Sequence, residues 1–263
     1  MLLADVAISS SYDPRIVSLS IAIAVLAAYT ALDLAGRVTL ATSWARTAWL
    51  IGGAIVMGIG IWSMHFVAML ALSLPVEMTY DIVTVLLSIL PAIIASAGAL
   101  FLASRPSLSF WQLIMGGILM GIGIASMHYI GMYAMQIEAN TIYNPLLVAV
   151  SIAIAISASI VSLNVAFQLR TQSSRSARLT TIVGALIMGL AIAGMHYTGM
   201  AAVKFTATNS KVIATEAMKH SLTWLAVTIG ITTFVILAFA LLTSFVDRRF
   251  TAQIKLLEKQ EAE

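Results

Sequence analysis

The chain has 263 residues, of which 60% are apolar, 10% are charged and none is cysteine. A soluble domain carries about a quarter charged residues, so this composition, with a mean hydropathy of +1.00, excludes a soluble globular protein and points to a polytopic membrane protein. The lack of cysteine excludes disulfides, thiolate metal sites and iron–sulfur clusters, and the net charge of +3 reads as membrane topology rather than nucleic-acid binding.

Residues 1–15 carry Asp5 and Asp13 and no basic run, so they are expected to be a short periplasmic leader and not a cleaved signal peptide. Seven apolar stretches follow, at 16–36, 47–72, 81–103, 110–135, 145–169, 179–203 and 222–246. Each is long enough to cross a hydrocarbon core of about 30 Å as a helix. Arg37 and Arg46 follow the first stretch, Arg105 the third, Arg170, Arg175 and Arg178 the fifth, and Arg248 and Arg249 the seventh. The loops after the second and fourth carry Glu77, Asp81 and Glu138 and no Lys or Arg, although Lys204, Lys211 and Lys219 weaken the bias after the sixth. The positive-inside rule then places the N-terminus outside and the C-terminus in the cytoplasm. Past the last stretch, Phe250, Ile254 and Leu257 recur at helical spacing among charged residues. Residues 247–263 are therefore expected to form a cytoplasmic helical linker toward an output domain, with a simple amphipathic tail as the alternative.

The chain repeats itself. Met57-Gly-Ile-Gly-Ile-Trp-Ser-Met-His65, Met120-Gly-Ile-Gly-Ile-Ala-Ser-Met-His128 and Met188-Gly-Leu-Ala-Ile-Ala-Gly-Met-His196 align without a gap, with the histidines 63 and 68 residues apart. Two spans fall in each interval, so the three motif helices run the same way and the histidines share one depth. The odd spans echo one another at Ala31-Leu-Asp33, Ala99-Leu-Phe101 and Ser162-Leu-Asn164. Asp33 and Asn164 are expected to pair with a neighbouring helix or a nearby Arg, with a signalling or proton role as the alternative. The expected fold is all-α integral membrane, with seven transmembrane helices arranged as three two-helix repeats plus one extra helix over 16–246. Small residues stand eleven and seven positions before each histidine, at Ala54 and Gly58, Gly117 and Gly121, and Ala185 and Gly189. Such pairs allow close helix contact and are expected to bring the three motif helices to a common centre.

A histidine within a membrane helix is a candidate functional residue by default. His65, His128 and His196 are the primary candidates for metal ligands. Met69, Met132 and Met200 lie four residues after them and about 40° round the helix, on the same face. Met64, Met127 and Met195, one residue before, are turned about 100° away and are weaker candidates. Met57, Met120 and Met188 flank the face below. Methionine also fills gaps in packed cores, and the histidines could serve only as interhelical hydrogen-bond partners. Three imidazoles suit zinc, copper or iron, and thioethers beside them shift the expectation to copper. Haem lacks an attachment motif, and a proton relay lacks its chain of carboxylates. His220, just before span seven, either caps this site or stands apart from it.

The phrase Met195-His196-Tyr197-Thr198 and its two relatives resemble the signature of the MHYT domain, a membrane-integral sensory module of bacterial signalling proteins, over about residues 12–246. The resemblance implies a non-enzymatic sensor in the bacterial inner membrane. It also implies copper bound by Met and His near the outer face, detection of O2, CO, NO or redox state, and control of cytoplasmic GGDEF and EAL domains acting on cyclic di-GMP. The expected partners are a diatomic gas, the lipid bilayer, a cytoplasmic signalling domain and a second copy in a homodimer. The first copy departs at Phe66 and Val67 and the second at Ile130, so Tyr129 and Tyr197 read as interfacial aromatics. A copper or proton transporter would need ligands continuing inward, and a membrane copper oxidoreductase would need acid–base groups beside the metal. These remain the rival expectations.

Overall fold

A computed structural model describes residues 8–171, 175–207 and 216–262. Asp5, Lys211 and the side chains of Arg175, Lys219 and His220 therefore lie outside the described residues. The helices are α1 (Pro14–Leu40), α2 (Ser43–Leu70), α3 (Ile82–Leu87), α4 (Ile89–Ala103), α5 (Phe110–Tyr133), α6 (Pro145–Leu169), α7 (Arg175–Ala201) and α8 (Glu216–Ala262). Among the described residues, seven spans are long and apolar enough to cross a membrane when α3 and α4 are taken as one span broken at Ser88. Pro91, in the first turn of α4, removes one backbone donor near that break. The outer faces of the bundle expose large apolar side chains such as Ile94, Leu119, Leu190 and Phe239. Trp44, Phe110 and Trp111 mark one end of this belt and Tyr133, Tyr143 and Trp224 the other, the arrangement that membrane interfaces favour.

The repeats are built alike at their ends. Asp13, Asp81 and Asn144 each cap the helix that follows by accepting from its first-turn N–H groups. Their own N–H groups donate to Ala71, Ala134 and Ala202, the residues just after α2, α5 and α7. Short strands extend these contacts. β1 (Ser11–Tyr12) pairs with β2 (Leu72–Ser73), β3 (Met78–Tyr80) with β4 (Met135–Ile137), and β5 (Ala139–Tyr143) with β6 (Val203–Ala207), all antiparallel. These six strands appear in segments that the apolar pattern reads as loops. Together they roof one end of the bundle.

Between repeats the glycines act differently from the expectation. A Cβ on Gly58 would strike the backbone of Ile93 in α4, one on Gly121 that of Ile156 in α6, and one on Gly189 that of Val25 in α1. Each therefore seats its motif helix against the odd span of the next repeat, and not against the other motif helices. The six repeat helices close into the ring α1, α2, α4, α5, α6, α7 and back to α1. α8 lies outside this ring, packed on α1 and α2. At the basic end Arg37 binds Asp247 at 2.6 Å and Asp33 binds both Ser244 and Arg248, tying α8 to α1. Asn164 accepts from Gln168 within its own helix, so among the described residues Asp33, and not Asn164, makes the expected bond to a neighbouring helix.

Candidate metal centre

The rotation of the repeats brings His65 of α2, His128 of α5 and His196 of α7 to one point on the bundle axis. All three are fully buried, with ring centroids 4.8–5.1 Å apart. The Nδ1 atom of His65 lies 3.0 Å from Nδ1 of His196 and 3.1 Å from Nδ1 of His128. His65 is thus the hub of the cluster. Each Nε2 is buried with no partner among the described residues. Cβ atoms on Gly131 and Gly199 would collide with Nε2 of His65 and of His128 respectively, so these two glycines, three residues after a histidine, press the rings inward. The equivalent residue of the first copy is Ala68.

This geometry fits a cation. A neutral imidazole has one N–H and one lone pair, so three facing Nδ1 atoms cannot all be satisfied by hydrogen bonds among themselves. With the protons on Nε2, three lone pairs converge and need a positive centre. An ion bound tetrahedrally at about 2.0–2.1 Å from each nitrogen would hold them roughly 3.3 Å apart, close to the 3.0 and 3.1 Å that separate Nδ1 of His65 from the other two. The three histidines could therefore hold a metal ion.

Above and below the centre the motif helices contribute layers at four-residue steps. Met69, Met132 and Met200 join one buried cluster on the side of the strand roof, together with Met78 of β3 and Met135 of β4. Met78 and Met135 are not singled out by the sequence, because nothing in a short loop announces that it folds back over the histidines. Met64, Met127 and Met195 do not all gather: Met64 packs towards α1 and α8, while Met127 and Met195 share one cluster with residues of α4 and α6. On the far side of the histidines come Ile61, Ile124 and Ile192, and then Met57, Met120 and Met188, all lining one small cavity.

Serines set the azimuth of the motif helices. Ser20, Ser88 and Ser151 occupy matching positions of the odd spans, are fully buried and donate back to Val17, Val85 and Val148. The hydroxyl of Tyr197 meets Ser20 at 3.0 Å and that of Tyr129 meets Ser151 at 2.6 Å. These tyrosines are therefore interhelical struts beside the histidines rather than interfacial anchors. In the first repeat Phe66 has no hydroxyl, and Trp62 instead donates its Nε1–H to Ser88 at 3.1 Å. Trp62 stands where the other copies have Ala125 and Ala193. That exchange is a signal in the sequence that becomes readable only once the helices are placed.

Fold and site together define a multi-pass membrane protein of three rotationally related repeats around a buried, metal-competent histidine cluster. The chain belongs to the MHYT family: the family profile, described as a bacterial signalling protein N terminal repeat, matches residues 1–48, 58–116, 121–179 and 189–254. It is 47% identical over 248 residues to the bifunctional diguanylate cyclase/cyclic di-GMP phosphodiesterase MucR of Pseudomonas aeruginosa, covering 94% of this chain and 36% of that protein. It is 36% identical over 252 residues to the signaling protein YkoW of Bacillus subtilis, covering 95% and 31% of the two. Against the cyclic di-GMP phosphodiesterase NbdA of P. aeruginosa the identity is 38% over 212 residues, covering 81% and 27%. The chain thus spans about a third of the length of these relatives. No solved structure matches it.

Proposed function

We propose that this chain is a membrane sensor that holds copper on His65, His128 and His196 and passes the state of that centre to a cytoplasmic output controlling cyclic di-GMP. The observation that carries the reading is the approach of Nδ1 of His128 and of His196 to Nδ1 of His65, each ring on a different helix, with no partner for any Nε2 among the described residues. Copper is favoured over zinc because thioethers crowd the roof side of the centre, and soft ligands select Cu(I). When bound by three nitrogens, such an ion keeps a position open to O2, CO or NO and can change oxidation state. The named activities of MucR and NbdA support cyclic di-GMP as the output, and the arginine asymmetry supports an inner-membrane protein with its C-terminus in the cytoplasm.

The residues of the chain supply holding, shielding and relay. Gly131 and Gly199 fix two rings, and the methionine cluster on one side with the isoleucine layer on the other keeps water from the nitrogens. Ser63, two residues before His65, accepts from Thr233 of α8 at 2.7 Å in a fully buried contact. A shift of α2 at the centre therefore acts directly on α8, a helix of 47 residues and so about 70 Å long. A ligand biases this arrangement only by its difference in affinity for two helix positions, a coupling of about 1–3 kcal/mol in typical cases. Transport is less well supported: beyond Met57, Met120 and Met188 the described lining is Leu100, Leu163, Ala166 and other apolar residues with the single hydroxyl of Ser162, and no further His, Met or carboxylate.

The test is the metal content and X-ray absorption of purified protein. One copper per chain with nitrogen ligation is expected in the unaltered protein, and loss of most of it in His128→Ala. Near-stoichiometric copper retained in His128→Ala would remove the shared site.

A further inference from the structure

Directly beyond the isoleucine layer lies a cavity of about 30 Å³, and no step of the proposed relay uses it. Its ceiling is Ile61, Ile124 and Ile192, one helical turn from the three histidines, and Met57, Met120 and Met188 edge its other side. Methionine is the side chain best able to close an irregular gap, yet three of them surround this one and leave it open. One buried hydroxyl on its wall, Ser159 Oγ, has no hydrogen-bond partner among the described residues. A water needs about 10–15 Å³ of such space, so the cavity has room for roughly two atoms of that size.

The cavity also has a side door. A cleft of about 440 Å³ runs between α6 and α7, with Val150, Val161 and Ile187 exposed around it to the hydrocarbon. Ala158, Ser162, Met188 and Ala191 line both spaces and form the neck between them. In the first repeat the corresponding outer face of α1 and α2 is covered by α8. The third repeat has no such cover among the described residues.

We infer that the cavity is a docking chamber for a small apolar diatomic molecule that enters from the bilayer between α6 and α7 and waits one turn from the histidines. Apolar solutes leave water for hydrocarbon, so the membrane itself concentrates such a ligand at the cleft. An apolar internal cavity accepts an apolar guest of matching size. The identity of the guest as a sensed gas rests on the proposed function. The chamber itself does not.

The experiment uses metal-free protein in lipid nanodiscs and xenon as the probe, followed by 129Xe NMR. The expected result is a saturable xenon site that Ala155→Leu, which fills the chamber, abolishes. Ala191→Leu, at the neck, should slow xenon exchange at least tenfold while changing its affinity less than twofold. Ala155→Val serves as the milder filling should the leucine variant fail to fold. No saturable site in the unaltered protein, or an undiminished one in both Ala155 variants, overturns the chamber. So does xenon entry only after Ser159→Ala, since a water held by that hydroxyl would then be the occupant. Because no metal is present, such a failure leaves the histidine centre standing, and failure of that centre is read separately from copper content.

Discussion

Gly131 offers the sharpest probe of the centre, because a single methyl added there acts on one identified atom. Its Cβ would fall on Nε2 of His65, well inside the 3.4–4 Å of ordinary van der Waals contact. His65 is the ring whose Nδ1 meets both others, at 3.0 and 3.1 Å, so a displaced His65 disturbs two contacts. In Gly199→Ala the ring struck is His128, which has only one such contact with the hub. Overpacking of this kind costs about 1–3 kcal/mol. Spent on moving a ligand, that range corresponds to a loss of about 5- to 150-fold in metal affinity. Gly131→Ala is therefore expected to weaken Cu(I) binding by roughly ten- to a hundredfold, and Gly199→Ala by less. Competition with a chromophoric Cu(I) chelator measures both, and thermal unfolding of the metal-free variants checks that the fold persists. Copper binding in Gly131→Ala as tight as in the unaltered protein would refute the inward pressure assigned to the glycine, and with it the hub role of His65.

Three further outcomes are expected. Trp62→Phe should destabilise the metal-free protein by about 0.5–1.5 kcal/mol in denaturant unfolding, as should Tyr129→Phe, and Phe66→Tyr added to Trp62→Phe should recover part of the loss; no recovery would separate Trp62 from the serine struts. The Thr84 hydroxyl and N–H hold the Asp81 carboxyl below the usual carboxylate range, so its stabilising contribution is complete above the unfolded value of about 3.9 and fades as pH falls through the folded one. Amide exchange at the start of α3 should accordingly rise below about pH 4 in the unaltered protein and show no such step in Asp81→Asn. A cysteine replacing the exposed Ser107 should be labelled only after the membrane is opened, and one replacing the exposed Glu138 should be labelled from outside; the reverse pattern would put the histidine end in the cytoplasmic half.

The spans were readable because crossing a bilayer demands an apolar run of a given length, and that demand is local. The second span, for instance, is expected at 47–72 and found at Ser43–Leu70. The histidine trio was readable for a different reason: three aligned copies with parallel helices leave few places for them except together. What escaped depends on partners that are remote in sequence. Nothing near Gly58 indicates that it seats on Ile93 rather than on another glycine, and nothing near Met78 or Met135 indicates a roof. The strand ribbons are two to five residues long and form because capped helix ends leave adjacent backbone groups that need partners away from lipid. Their pattern is too short to outweigh the loop signals around them. The exchange of tyrosine for tryptophan in the first repeat is likewise invisible until Ser88 is known to face α2.

The closure of the helix ring sets an order on assembly. The first repeat meets the second through Gly58 and the second meets the third through Gly121, but the seam between Gly189 and Val25 joins the last repeat back to the first. Synthesis proceeds from the N-terminus, so α1 must wait in the bilayer, one flank unpaired, until α7 has been made and inserted. Over that interval His65 and His128 have no third partner. The complete histidine cluster can arise only when the ring shuts, so a three-histidine metal site would exist only once all three repeats have been inserted and joined.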